Sequence, residues 1–135
     1  MERLENVLSR MSNDGFNIQA SVVINERGLT MASMAHRNWS ADKIAAMVSL
    51  ISDGATRALS NLSMGSLSTI SIASEKATLW IAEFDVNERQ YRIAIILGHG
   101  PLRIRSFWDR VRNRDFVTTI LLPSAKKIQN ILGGS

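Results

Sequence analysis

The chain has 135 residues, 45% of them hydrophobic and 21% charged, with a net charge of +4 and no cysteine. These values suit one domain with a single core and exclude disulfides, a thiolate zinc site and a thiol nucleophile. No apolar run approaches the roughly 18 residues of a membrane-spanning helix. The start, Met1-Glu2-Arg3-Leu4-Glu5, lacks a signal peptide's apolar region. A cytoplasmic protein is expected, with any membrane association peripheral.

The charge is unevenly placed. From Arg103 onward, seven basic residues (Arg103, Arg105, Arg110, Arg112, Arg114, Lys126, Lys127) stand against Asp109 and Asp115, a net of +5. The preceding part carries nine basic and ten acidic residues, a net of −1. A local basic segment suits an acidic protein, an anionic lipid surface or nucleic acid, and equally an ordinary solvated helix face.

Taken in order, Leu4, Val7, Leu8 and Met11 form a short helical stripe closed by Ser12-Asn13-Asp14-Gly15. Ile18, Ala20, Val22 and Ile24 alternate with Gln19, Ser21, Val23 and Asn25, a strand pattern. Asn25-Glu26-Arg27-Gly28 is a turn, with Gly28 available for positive φ, and Leu29 to Met34 returns as a second strand.

The longest periodic stretch follows, from Ser40 to Leu62. Ser40 is a good N-cap, and Asp42 places negative charge at the positive end of the helix dipole. Ile44, Met47, Val48, Ile51, Ala55, Ala58, Leu59 and Leu62 recur at steps of three and four, a broad stripe expected to cover the sheet. A second row, Ala46, Leu50 and Gly54, runs beside it. Glycine inside a helix costs about 1 kcal/mol against alanine, so Gly54 implies a packing reason. Either the helix simply has a wide core-facing side, or the second row meets another protein.

Beyond Ser63-Met64-Gly65, Leu67 to Ala73 reads as a strand rich in small hydroxyl residues. Ser74-Glu75-Lys76 turns into Thr78 to Phe84, where Leu79 and Ile81 point one way and Trp80, Ala82 and Phe84 the other. Such a two-sided apolar strand is expected between helices. Asp85 to Arg89 is a polar turn, and Tyr91 to Leu97 a fifth strand. After Gly98-His99-Gly100-Pro101, Ile104, Phe107, Trp108 and Val111 have helical spacing. Phe116 to Leu122 is apolar and β-leaning, readable as a strand or as a buried extended segment. Pro123-Ser124 opens a last helix carrying Ile128, Ile131 and Leu132, with Gly133 as its stop. The order predicts an α+β domain, one antiparallel sheet clasped between helices.

No chemistry is built into these residues. There is no G-x-S-x-G elbow and no P-loop, and His36 and His99 lie in loops without a ligand-spaced carboxylate. Glu83 and Asp85 share a strand face beside a turn, which solubility explains better than acid–base work. The arginines around Phe107 and Trp108 could frame stacking platforms for nucleic acid. Both aromatics, however, fall on the apolar face with Ile104 and Val111. No catalytic residue, cofactor or metal is expected.

Several of these residues together resemble the roadblock / dynein light chain family. The carrying segments are Ala20-Ser21-Val22-Val23-Ile24-Asn25-Glu26-Arg27-Gly28-Leu29, Lys43-Ile44-Ala45-Ala46-Met47 and Tyr91-Arg92-Ile93-Ala94-Ile95-Ile96-Leu97. The similarity runs from about residue 1 to 98, leaving 99–135 as a basic C-terminal extension to a single roadblock-like domain. It implies a profilin-like five-stranded antiparallel sheet with the long helix on one face and the N- and C-terminal helices on the other. It also implies a homodimer, or a heterodimer with a second roadblock protein, in which third strands pair edge to edge and long helices pack antiparallel.

On that resemblance the dimer interface would draw on Ala46, Met47, Leu50, Gly54, Arg57, Leu67, Thr69 and Ser71. Candidate partner contacts are Asp53, Arg57, Arg105, Arg110 and Arg112. The implied role is a non-catalytic adaptor or regulator of a Ras-like small GTPase. The rival is a basic protein binding nucleic acid or an anionic membrane surface through Arg103 to Arg114.

Overall fold

Alternating hydrophobicity becomes five strands, and the 3.6-residue periodicity becomes the helices that cover them. A computed structural model describes residues 3–12, 17–98, 116 and 120–133 of the chain. In sequence these form α1 (Leu4–Ser12), β1 (Ile18–Ile24), β2 (Thr30–Ala35), α2 (Ala41–Asn61), β3 (Thr69–Ala73), β4 (Ala77–Val86), β5 (Arg89–Gly98) and α3 (Leu122–Gly133). The strands make one sheet in the order β2-β1-β5-β4-β3, every neighbouring pair antiparallel.

The two faces of the sheet are covered differently. On one, Val7, Leu8 and Met11 of α1 and Ala125 and Ile128 of α3 close over Val23, Ala82, Ile93 and Ile95. On the other, Ala45 and Val48 of α2 rest on Val22, Ile24, Ile81 and Ala94, with Ile44, Ile51, Ile70 and Leu79 packed around them. The expected split of β4 holds. Leu79 and Ile81 face α2, whereas Trp80, Ala82 and Phe84 face the α1 and α3 side.

Local chemistry explains the element ends. Ser40 Oγ accepts from the Lys43 amide at 3.3 Å and caps α2. At its other end the Met64 amide donates to the Leu59 carbonyl and the Ser63 amide to that of Ser60. These are the paired bonds of a Schellman ending, with Ser63 at φ 55° where glycine is usual. In the β1–β2 turn, Asn25 Oδ1 accepts from the amides of Arg27 and Leu29. Gly28 sits there at φ +80°, and a Cβ on it would come within 2.8 Å of Ser49 Oγ on α2. The β4–β5 turn is tighter than the expected Asp85–Arg89, because only Asn87 and Glu88 leave the ladder, both at positive φ.

Three expectations are revised. Phe116 is helical, and Ile120 and Leu121 form a wide helical turn leading into α3, not a strand. All three are buried with the α1 side of the core, which strand geometry would not allow at a spacing of four and one. The core therefore does not end near residue 98; the C-terminal helix is part of it. The α2 stripe is also narrower than its sequence pattern. Ala45, Val48 and Ser52 form the buried line, while Met47, Ala58 and Leu62 are exposed.

Glu83 is the third. It is no solubility device: its carboxylate accepts from Arg92 Nε at 2.9 Å and from the Gln90 side-chain amide. Both ionic side chains are nearly sealed, 2% exposed for Glu83 and 9% for Arg92. Removing one partner of a buried pair strands the other charge. Glu83→Ala is expected to lower unfolding free energy by about 3–5 kcal/mol in denaturant titration, against under about 1 kcal/mol for the exposed Asp53→Ala. Relief of left-handed strain makes Ser63→Gly and Glu88→Gly each stabilising by about 0.5–1 kcal/mol; a loss of stability in both would contradict the turn geometry described.

Candidate interaction surface

Because α2 packs on the sheet through one side, its opposite side faces solvent. That side carries Ala46, Met47, Leu50, Gly54, Arg57 and Ala58, all exposed. Leu50 is 68% exposed and Met47 49%, large values for apolar side chains. Gly54 leaves open space above the helix, since a Cβ placed on it would meet nothing within 4 Å. The row thus has an apolar rim with a bare backbone in its middle, the shape that lets a second helix come close.

The row continues to an open strand edge. Among the described residues β3 pairs only with β4, and no other strand lies on its far side. The Glu83 amide donates to the Ser68 carbonyl at 2.9 Å. By antiparallel alternation, the N–H and C=O groups of Thr69, Ser71 and Ala73 then point away from β4 toward the open edge. Neither proline nor lysine interrupts this five-residue edge, so nothing in it discourages pairing with another strand.

Of the residues singled out in the sequence, the structure brings Ala46, Met47, Leu50, Gly54 and Arg57 onto one face. Thr69 and Ser71 lie at the edge, but their side chains stand opposite Ala82 and Trp80 on the sheet face away from α2. They offer backbone and no side chain to a surface continuous with the helix. Ile70 and Ile72 are the strand residues on the α2 side, and Ile72 is exposed. Alternation along Ser68 to Ala73 could have assigned them. Leu67 is half-buried and precedes β3.

Asp53, expected at a partner surface, is exposed and also has a contact within the chain. Its carboxylate accepts from Arg92 Nη2 at 3.3 Å, so it tethers α2 to the Glu83–Arg92 pair beneath. This three-residue chain from helix to sheet joins positions far apart in sequence, and no local pattern announces it. Arg105, Arg110 and Arg112 lie outside the described residues, as does His99; His36 is exposed in the β2–α2 connector. Among the described residues no three His, Asp or Glu side chains gather as metal ligands, and no helix is long and apolar enough to cross a membrane.

Comparison with solved structures places this architecture. Myxococcus xanthus MglB superposes with a TM-score of 0.70 over 98% of this chain and 96% of its own, at 13% identity. The fold is the roadblock/LC7 fold. A roadblock/LC7 domain from Streptomyces avermitilis matches with a TM-score of 0.62 and 16% identity, over 72% of this chain and 79% of that one. The gliding protein MglB from Thermus thermophilus matches with a TM-score of 0.59 and 18% identity, over 74% and 75%. No protein-family model matches the sequence, and no curated protein does.

Substitutions on the exposed row test its role without touching the core. Leu50→Glu and Gly54→Arg are each expected to halve the mass measured by light scattering at micromolar concentration and to lower the melting temperature. Unchanged mass and unchanged melting in both would remove this face as an association surface.

Proposed function

We propose that the protein is a non-catalytic, cytoplasmic roadblock-type adaptor that dimerises and binds a Ras-like small GTPase across its paired long helices. What supports this most is the uncovered α2 face. A 21-residue helix that packs on its own sheet through Ala45, Val48 and Ser52, flanked by half-buried Ile44 and Ile51, leaves Met47, Leu50 and Gly54 in water. Burying an apolar side chain is worth about 1.5–3 kcal/mol, so a self-complementary row of this kind is stabilised by a second copy. Two-fold pairing reuses the one patch on both protomers, and the open β3 edge extends it into a continuous sheet.

The GTPase part rests on the roadblock resemblance and on the likeness to MglB structures. Two aligned α2 helices form a broad platform on which Arg57 from each copy supplies a polar contact. No cofactor or metal is invoked, and either a homodimer or a pairing with another roadblock protein satisfies the geometry. A platform of this kind acts on a GTPase by preferring one of its two states, because only differential affinity shifts an equilibrium.

The test is calorimetric titration of the protein with purified small GTPases, each loaded in turn with GDP and with a non-hydrolysable GTP analogue. Binding at least about tenfold tighter to one state, which corresponds to about 1.4 kcal/mol, is expected for a cognate GTPase, and Arg57→Glu should weaken it. Equal affinity for both states would leave a scaffold and remove the regulator; no binding in either state would remove the GTPase reading.

A further inference from the structure

Beside the first half of α2 lies a cavity of about 450 Å³ that none of the described residues fills. Trp39, Lys43, Ile44 and Met47 form its helix side, and Leu79 and Ile96 its floor on the sheet. The neighbour of Leu79 across the ladder is Ile72, so the cavity opens on the side of α2 that faces the β3 edge. Its lining is mostly apolar, with Asn38, Ser40 and Lys43 at one end, and open apolar space forfeits dispersion contacts along that part of the lining.

Two large apolar side chains are left uncovered among the described residues. Leu62 is 69% exposed and Met64 66%, at the far end of α2. They are not on a loose tail, because the Schellman bonds to Leu59 and Ser60 hold this turn against the helix. Neither reaches its own protomer's cavity. From Lys43 to Leu62 the helix measures about 28 Å at 1.5 Å per residue.

We propose that in the dimer each protomer's cavity is filled by Leu62 and Met64 of the other. This rests on the dimeric reading above and specifies its register and what completes the cavity. Two constructions on different elements lead to it. On the helix, the exposed row Met47, Leu50, Gly54 and Ala58 is centred between Leu50 and Gly54. Antiparallel two-fold pairing about that centre sets Lys43 beside Asn61 and Leu62 of the second copy.

On the strand, the edge Thr69–Ala73 is centred on Ser71. Antiparallel edge pairing there sets Ala73 beside Thr69 of the second copy. The stretch 62–68 leading into that Thr69 then falls over the end of the sheet where Leu79 pairs with Ile96. Helix and strand thus deliver the same residues to the same place.

The absence of cysteine makes the test direct. The double variant Lys43→Cys/Leu62→Cys is expected to oxidise to a covalent dimer. Each single variant should stay non-covalent, because antiparallel pairing separates equal positions 43 by about 27 Å, far beyond disulfide reach. A dimer by light scattering with no disulfide in the double variant overturns the exchange and spares the dimer; a monomer overturns both. Cross-linking in the single variants would mean another register and also overturns it.

A second measurement asks whether the cavity is filled. Anilinonaphthalene sulfonate fluorescence is expected to stay low with the unmodified dimer and to rise severalfold with Leu62→Ser/Met64→Ser. Strong fluorescence from the unmodified dimer would show an open cavity that accepts small apolar molecules, against the proposal.

Discussion

The packing of α2 on its sheet sets which of its apolar residues stay in water. Ala45, Val48 and Ser52 form the buried line, two of the three being small residues that let the helix sit close on Val22, Ile24, Ile81 and Ala94. Close approach spends little of the helix's circumference. The helix is nonetheless apolar well beyond that line, and a helix with apolar residues on more than one side is stable where more than one side is covered. The outer row of Met47, Leu50 and Gly54 is the side that none of the described residues covers.

The opposite face of the sheet shows what full cover looks like. There α1, α3 and Phe116 close over the strands, and the Trp80 and Phe116 rings sit 6.0 Å apart in a tilted pair. The asymmetry between the two faces is the organising feature: among the described residues one is covered by α1 and α3, the other by α2 alone, with the outer edge of β3 unpaired. The Glu83–Arg92–Asp53 chain holds α2 at a set position over its face. A buried ion pair is weak evidence for stability, but a charged tether between helix and sheet does specify register. The spacing between the outer row of α2 and the open edge of β3 depends on it.

Much of the fold is legible along the chain. The cap at Ser40, the Asn25–Gly28 turn and the alternation in β1, β4 and β5 are local chemistry, and each appears where its residues predict. The candidate surface is legible in part. Leu50 and Gly54 stand out because four-residue spacing and a helix-interior glycine are local signals. Met47 falls on the inner stripe of the sequence pattern because an eight-residue pattern cannot say which half of itself meets the sheet. Thr69 and Ser71 do lie on an edge strand, yet their side chains face away from α2, since strand order and not composition decides which face a residue joins. Phe116 looks extended because its segment is β-leaning in composition; burial against α1 makes it helical.

By itself, then, the sequence determined the element types, their caps and turns, and the presence of more apolar surface than one sheet contact consumes. Only the tertiary structure decided which of those apolar residues remain in water, that Glu83 and Asp53 share Arg92, and that Leu62 and Met64 stand clear at one end of α2 while a cavity opens at the other. The physical reason is range. Hydrogen-bonded turns and side-chain periodicity act over a few residues, whereas the crossing of a helix over a sheet and the order of its strands are set by contacts between segments dozens of residues apart.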